Sequence, residues 1–364
     1  MSAEVAVPAG SPRSHYRVLP GRAFAASLLA VILAVLSPSV SWGGDTITEF
    51  SIKGENTYPT AINASPDNLI WFIQFNSNTL ARFNPENKEL KEFPIPSSSS
   101  HTIDISVDRQ GNVWLAEQDV NVIAKFDARK QVFKEYIIPF KGLQPISIYA
   151  SRNGDVWALG WSNDLLLRFR PDTEQFEQYT IPTKDSSAYN LTEDKQGNLW
   201  FVERAGNKLA TFDPVKKRFR EWSISEGIQS AMGTVIDSSG YVWYLQMVDN
   251  RMVRFDPKSG KTSMYDLPKN KGTQGMVIDQ KDRIWLVQST ENRIHSFDAK
   301  TFKIQTYDLP TGESKPNSIC ADKKGRVWFT EAANMKLGMI DTSKIQEESK
   351  KLKVKIKTTE KLFR

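Results

Sequence analysis

The chain has 364 residues, of which 40% are hydrophobic and 25% charged, proportions typical of a soluble globular protein with a sizeable core. Its single cysteine, Cys320, excludes an intrachain disulfide framework and any metal site built from several cysteines. The formal net charge of +6 is concentrated at the ends: residues 1–42 carry +2 and the tail after Asp341 carries +5. The remainder is close to neutral at −1, which argues against a nucleic-acid-binding protein with a basic face.

Residues 1–42 are predicted to be an export signal. Three arginines precede the apolar run Ala23–Leu36, whose 14 residues are too few to span a bilayer comfortably but suit the core of a signal peptide. Small residues follow, so we expect cleavage after Ser41 or Gly43. The mature protein is then secreted or periplasmic and has no transmembrane segment. An uncleaved membrane anchor is the alternative.

A tryptophan-centred repeat fills residues 43–342. The tryptophans recur 42 or 43 residues apart, at positions 71, 114, 157, 200, 243, 285 and 328. Similar text surrounds them, as in GNVWLAE at 111–117 and GNLWFVE at 197–203. Each unit contains an alternating strand, a turn, the tryptophan strand, a Phe-Asp strand and an aromatic strand that ends near a proline. Four-strand units of this length predict an all-β fold, a seven-bladed β-propeller.

The segment Ile47–Ile52 resembles the fourth strand of a unit, yet it precedes the first complete unit. The seventh unit loses the repeat pattern after Asp341. We therefore predict that the N-terminal strand completes the last blade, because this pairing removes two open sheet edges at once.

The predicted ligand site is one mouth of the central channel. Hairpin pairing places the start of each inner strand beside the residue three after each tryptophan. These second-strand positions hold Gln74, Glu117, Gly160, Glu203, Gln246, Gln288 and Glu331, and the inner-strand positions eleven before each tryptophan hold Thr60, Ile103, Ile146, Tyr189, Met232, Gln274 and Asn317. We predict that Gln74, Glu203, Gln246, Gln274, Gln288, Asn317 and Glu331 bind a small molecule, a peptide or a glycan. The alternative is that the recurring acids and amides form structural hydrogen bonds at hairpin ends.

His101 is the candidate general base, because it lies near the predicted rim beside Glu117 and a His–Glu pair can take up a proton. Tyr189 is a further catalytic candidate. The alternative for His101 is a surface position at the end of the Ser97–Ser100 loop, and His295 is predicted to be structural. The sequence contains no His-x-Glu metal pair and no glycine-rich phosphate loop, so the residues alone leave any metal or other cofactor unknown.

The tail, residues 343–364, alternates apolar and basic residues over Leu352–Lys357. One interpretation is a solvated edge strand whose lysines block aggregation. The other is electrostatic contact with an anionic surface or polymer. Apart from such a contact, we expect a monomer.

The phrase Gly-Asn-x-Trp-Phe-x-Glu, followed by Asn and then Phe-Asp, resembles the repeat of the streptogramin lyase (virginiamycin B lyase) family over residues 47–341. The resemblance implies a seven-bladed propeller that linearises a cyclic depsipeptide by elimination across an ester bond, using a histidine, a nearby glutamate and magnesium. In that family the histidine stands eleven residues before a blade tryptophan and the acid three after one.

The acid position is matched by Glu117, Glu203 and Glu331, but no histidine occupies the histidine position, and His101 stands two residues earlier. We therefore expect an exported binding protein without the lyase activity of the family. The alternatives are a divergent magnesium-dependent carbon–oxygen lyase that uses His101 and Glu117, and an envelope scaffold attached through its basic tail.

Overall fold

A computed structural model describes residues 46–54, 57–161, 163–224, 230–268, 272–345, 350–351 and 354–355. Over these residues the chain forms seven four-stranded antiparallel blades in a ring, which confirms the predicted all-β, seven-bladed propeller. The predicted export signal, residues 1–42, lies outside the described residues. Within them, no helix has the length and apolar character needed to cross a bilayer.

Each blade runs outward from an inner strand at the channel to an outer edge strand. The inner strands are β2 (Pro59–Ala64), β6 (Thr102–Val107), β10 (Pro145–Ala150), β14 (Ala188–Glu193), β18 (Ala231–Ile236), β22 (Thr273–Ile278) and β26 (Pro316–Ala321). The second strands, which contain the repeat tryptophans, are β3 (Ile70–Gln74), β7 (Val113–Glu117), β11 (Val156–Gly160), β15 (Leu199–Glu203), β19 (Val242–Gln246), β23 (Arg283–Gln288) and β27 (Arg326–Glu331).

The outer half of each blade completes the sheet. The third strands are β4 (Thr79–Asn84), β8 (Val122–Asp127), β12 (Leu165–Arg170), β16 (Lys208–Asp213), β20 (Arg251–Phe255), β24 (Arg293–Asp298) and β28 (Lys336–Asp341). The fourth strands are β5 (Glu89–Pro94), β9 (Val132–Ile137), β13 (Gln175–Thr180), β17 (Arg218–Ser223), β21 (Thr262–Asp266), β25 (Lys303–Asp308) and, for blade 7, β1 (Ile47–Ser51).

Strand β1 closes the ring, as predicted. It pairs antiparallel with β28, from Ile47 opposite Ile340 to Ser51 opposite Lys336. The Phe50 ring lies 5.7 Å from the Trp328 ring of its own blade and 5.0 Å from the Phe83 ring of blade 1. Strand β1 therefore packs against both blades that meet where the ring closes, blade 7 and blade 1.

The C-terminal segment follows the outside of the ring. After a 3-10 turn at Thr342–Lys344, β29 (Lys350–Lys351) pairs with β25 on blade 6, and β30 (Val354–Lys355) pairs with β21 on blade 5. The described part of the basic tail therefore lies along the outer edges of two blades.

The inner strands of neighbouring blades are linked by side chains. Asp104 accepts a hydrogen bond from the Ile148 N–H at 3.0 Å, and the Ser106 hydroxyl accepts one from the Ala150 N–H at 2.9 Å. Such bonds satisfy backbone donors that face the channel and have no strand partner there.

The repeated aspartate holds both its turn and its tryptophan. Asp194 accepts hydrogen bonds from the backbone N–H groups of Gln196 and Asn198, each at 2.9 Å. It also accepts one from the Trp200 indole N–H at 2.9 Å. Equivalent bonds from the indole occur in blades 2, 5, 6 and 7.

Asp194→Ala is expected to lower the free energy of unfolding by about 2 kcal/mol, because it leaves several hairpin donors, including the buried Trp200 indole, without their acceptor. Urea unfolding followed by circular dichroism measures the change. Asp172→Ala is the control, since Asp172 is exposed and its carboxylate accepts one local bond from the Thr173 N–H. A loss of stability no greater than that of the control would contradict this role.

Candidate functional site

The residues three positions after each tryptophan lie at the predicted end of the hairpin, beside the start of the inner strand. Thr102 pairs with Glu117, and Ala188 pairs with Glu203, at the end of each hairpin near the start of the inner strand. Their side chains, however, lie between blades and do not line the channel mouth. The acids and amides at this position are at most 1% exposed, and they are Gln74, Glu117, Glu203, Gln246, Gln288 and Glu331.

The packing of the second strand explains this burial. Glu117 shares a face of β7 with Leu115 and Val113, which belong to the apolar cluster packed between blades 1 and 2. The opposite face of β7 packs against blade 3, so both faces of this strand lie in blade interfaces. The ligand-binding role predicted for these positions stays a prediction, and their observed place is in the blade interfaces.

Glu117 lies in a pair of carboxyl groups. Its neighbour Glu135, on β9, accepts a hydrogen bond from the Ser97 N–H at 2.9 Å and so holds the loop that leaves blade 1. Neither Glu117 oxygen has a hydrogen-bond partner of good geometry in the described part of the chain. Burial raises the pKa of Glu117 to about 8, the charge of Glu135 adds to the rise, and the Ser97 hydroxyl opposes it. Glu117 is therefore a neutral acid at neutral pH.

Blades 4 and 7 repeat the pair with a lysine added. Lys208 donates to Glu221 at 2.7 Å beside Glu203. Lys336 donates to Glu49 at 2.7 Å, near Glu331 in blade 7. Burial raises the pKa of Glu203 and that of Glu331 to about 7.

In blades 1 and 6 a neutral glutamine occupies the same position. In blade 1, Gln74 donates to Glu92 at 2.8 Å. In blade 6, Gln288 meets the ring of His295 at 2.5 Å, and the other ring nitrogen of His295 lies 2.9 Å from the Thr306 hydroxyl. Burial lowers the pKa of His295 to about 4, so this histidine is a neutral structural residue, as predicted.

The residues eleven before each tryptophan are on the inner strands. Tyr189 and Ile146 line a pocket at the channel mouth, whereas Asn317 lies half-buried on β26 and Gln274 belongs to β22. Of the predicted site residues, Tyr189 is thus the one that the described structure places at this pocket.

The mouth pocket has a volume of about 320 Å³ and lies over blades 3 to 5; it is lined by Ile146, Trp161, Ser187, Tyr189, Arg204, Ala205 and Ser230. Trp161 is 53% exposed, while the repeat tryptophans are buried. Trp161 and Arg204 each stand four residues after a blade tryptophan, one residue beyond the predicted binding position. They directly follow the last residues of β11 and β15, Gly160 and Glu203, where the chain leaves the blade interface.

Tyr189 separates two cavities, because it also lines the central channel, whose volume is about 360 Å³. The guanidinium of Arg204 lies over the Tyr189 ring, 5.6 Å from its centroid. Burial raises the pKa of Tyr189 to about 12, and the charge of Asp104 adds to the rise while Arg204 opposes it. The phenol therefore stays protonated and can donate a hydrogen bond to a ligand.

His101 has a different partner from the one expected. Its Nδ1 lies 2.5 Å from a carboxylate oxygen of Asp119, and its ring stacks on Phe75 with centroids 5.0 Å apart. The expected pair with Glu117 does not form, because Glu117 points between the blades. His101 is about half exposed and has a left-handed backbone with φ of 49°, so Asp119 and Phe75 orient a histidine that stays open to solvent.

The family resemblance implies magnesium as a cofactor. Magnesium binds through several oxygen ligands. The described residues contain no group of three or more His, Cys, Asp and Glu side chains that could hold a metal ion. The three matching acids, Glu117, Glu203 and Glu331, belong to three different blades. The described residues therefore contain no pre-formed cluster of acidic side chains for magnesium.

A model of the virginiamycin B lyase family matches the chain over residues 40–244 and 172–351. No curated protein matches it. A streptogramin B lyase structure is similar at 25% identity with a TM-score of 0.75, covering 81% of this chain and 97% of that one.

Two further solved structures indicate the fold. A catalytically inactive histidine-to-alanine variant of virginiamycin B lyase from Staphylococcus aureus, with quinupristin, is 21% identical with a TM-score of 0.75 and covers 80% of this chain and 98% of its own. Hydrazine synthase of Kuenenia stuttgartiensis is 12% identical with a TM-score of 0.67, covering 80% and 97%. At these identities the similarity shows the propeller fold alone.

Proposed function

The chain belongs to the virginiamycin B lyase family, and from this premise we propose that it is an exported propeller that binds a small molecule, peptide or glycan at its channel mouth. The observation that carries the proposal is the mouth pocket, where the exposed indole of Trp161 lies close to Tyr189 and Arg204. Its volume of about 320 Å³ falls within the range of ligand sites. An exposed aromatic beside a few polar groups is typical of such sites.

Trp161→Ala is expected to weaken ligand binding at least tenfold, because loss of an aromatic contact at a pocket wall removes more than about 1.4 kcal/mol. The test is isothermal titration with quinupristin, a short N-acetylated peptide series and neutral oligosaccharides. Saturable binding that depends on Trp161, with no change in the ligand, supports the proposal. Val215→Ala is the matched control, since Val215 is 90% exposed on a turn at the opposite end of blade 4. Binding to none of these ligands, or unchanged binding by Trp161→Ala, would contradict the proposal.

A second candidate is a divergent elimination lyase, which the His101–Asp119 pair favours. In such a reaction a base removes a proton from the carbon next to the ester-bearing carbon, a C=C bond forms, and the C–O bond breaks to release a carboxylate. The ring-opened product has the mass of the substrate. His101 held by a carboxylate has the chemistry of that base.

Mass spectrometry with chromatography of virginiamycin B after incubation with residues 43–364 decides this candidate. A lyase predicts a linear product of unchanged mass that is lost in His101→Ala, whereas the matched variant His295→Gln keeps turnover if it folds. No conversion at high protein concentration would remove the lyase candidate and leave binding as the function.

Export is part of the same proposal. The apolar run Ala23–Leu36 supports it. N-terminal sequencing of protein recovered from the periplasm or medium should begin near Ser41 or Gly43. Recovery of the intact N-terminus in the membrane fraction would overturn cleavage.

A further inference from the structure

We infer, resting on the proposed function of the mouth pocket, that its ligand carries a flat apolar ring and a carboxylate. The ring would lie on Trp161 and Ile146, and the carboxylate would meet Arg204. Two features of the chain carry the inference: the departure of blade 3 from the repeat at Gly160, and the guanidinium of Arg204 in blade 4.

Blade 3 departs from the repeat at Gly160, where six other blades have an acid or an amide. A Cβ on Gly160 would lie 2.6 Å from the Leu143 carbonyl oxygen and 2.3 Å from Asn163 Oδ1. The next residue, Trp161, donates its N–H to the carbonyl groups of Leu143 and Gln144, each at 3.1 Å. The absence of a side chain at Gly160 therefore lets the loop approach closely and fixes the backbone of Trp161.

This backbone places an exposed indole at a position that varies among the blades. Blade 1 has Phe75, whose ring stacks on His101, blade 2 has Gln118, and blades 5, 6 and 7 have Met247, Ser289 and Ala332. Trp161 is 53% exposed, and burying it against a ligand would remove a large apolar surface from water. An exposed aromatic fixed by its backbone is a stacking surface with little conformational entropy to lose on binding.

In blade 4, Arg204 forms no salt bridge within the described part of the chain. Its contact there is the Tyr189 ring. The mouth-side arginines of two other blades differ: Arg251 meets Asp266 at 2.9 Å, and Arg293 meets Asp308 at 2.5 Å. A guanidinium without a carboxylate beside an apolar wall is suited to binding one from a ligand, because the bidentate fork matches a carboxylate.

The remaining lining is consistent with this class of ligand. Ser187 and Ser230 supply hydroxyl groups, and the Tyr189 phenol remains a donor. A cationic ligand is disfavoured, because Arg204 would repel the charge that an aromatic pair would otherwise attract. A neutral glycan would find one exposed aromatic and few planar polar side chains among the described lining residues.

The test uses 2-naphthoate and its neutral isostere 2-naphthamide, titrated into residues 43–364 by ligand-observed NMR. We expect the wild-type protein to bind 2-naphthoate at least tenfold more tightly than 2-naphthamide. Arg204→Gln should remove that preference by weakening 2-naphthoate binding tenfold or more while changing 2-naphthamide binding less than threefold. Arg251→Gln is the control for loss of a mouth-side positive charge, and it should preserve the preference.

The outcomes separate this inference from the function on which it rests. The proposed ligand class is wrong if both probes bind equally in the wild type, or if Arg204→Gln affects them equally. If Trp161→Ala still abolishes binding in that case, the mouth pocket remains supported as the binding site. If neither probe binds, the ligand class is again wrong, and the titrations with quinupristin, peptides and oligosaccharides decide whether the pocket stands. If binding persists unchanged in Trp161→Ala, both proposals fail.

Discussion

Phe50→Ala is expected to lower the free energy of unfolding by about 3 kcal/mol, the lower end of the range for truncating a large aromatic, because Phe50 is partly buried against a core cluster. Phe50 lies on the strand that closes the ring and contacts Trp328 in blade 7 and Phe83 in blade 1. Its loss therefore opens a cavity at the one place where the ring depends on residues distant in sequence. Urea unfolding followed by the fluorescence of the buried tryptophans measures the change.

Two other variants serve as comparisons for Phe50→Ala. Ile137→Ala, on the fourth strand of blade 2, removes a side chain that is 78% exposed and should change stability by less than about 0.5 kcal/mol. Phe93→Ala, at the equivalent aromatic position of blade 1, removes contacts with Trp71 and Phe126 within one continuous stretch of chain. If Phe50→Ala costs no more than Ile137→Ala, strand β1 does not hold the ring closed.

Glu117→Gln is expected to make the protein more stable than the wild type at alkaline pH, by about 3 kcal/mol at pH 9, and to leave stability nearly unchanged at pH 5. The pKa of Glu117 in the folded protein is about 8, above its ordinary value of 4.5, because the carboxyl group is buried beside Glu135. A raised carboxyl pKa means that folding favours the protonated form. The wild-type protein therefore loses stability as the pH rises from the unfolded value through about 8, and glutamine removes this loss.

Blade 1 supplies the precedent for this substitution and its reverse. Gln74 already donates to Glu92 at 2.8 Å in the equivalent position, so an amide at position 117 has a matching acceptor in Glu135. Gln74→Glu should create the alkaline instability that Glu117→Gln removes. Glu203 and Glu331 titrate in all these proteins, so the differences between variants report the exchanged residue. Parallel stability–pH curves for the wild type and Glu117→Gln between pH 5 and 9 would contradict the assignment.

Much of the fold was predictable because a propeller repeats one local solution. The Asp-x-x-Gly turns and the repeat tryptophans recur in sequence, and the hydrogen bond from the Trp200 indole to Asp194 forms within six residues of chain. Hairpin register follows from the turn as far as Asp104 opposite Ala116, and a bulge then places Thr102 opposite Glu117, within the expected range. Ring closure by β1 was predictable as well, since an unpaired fourth strand preceded the first unit.

The amino-acid sequence by itself therefore determined the blades, their number and the strand that closes them, because these depend on periodic and local interactions. The tertiary structure alone decided which side chains face the channel mouth. Glu117 is the last residue of a strand packed between blades and is buried, whereas Trp161 and Arg204 each follow the end of such a strand and line the pocket. Hairpin pairing continues past the strands and brings Asp119 close to His101, but only the structure shows that His101 contacts Asp119 and that Glu117 is buried between blades.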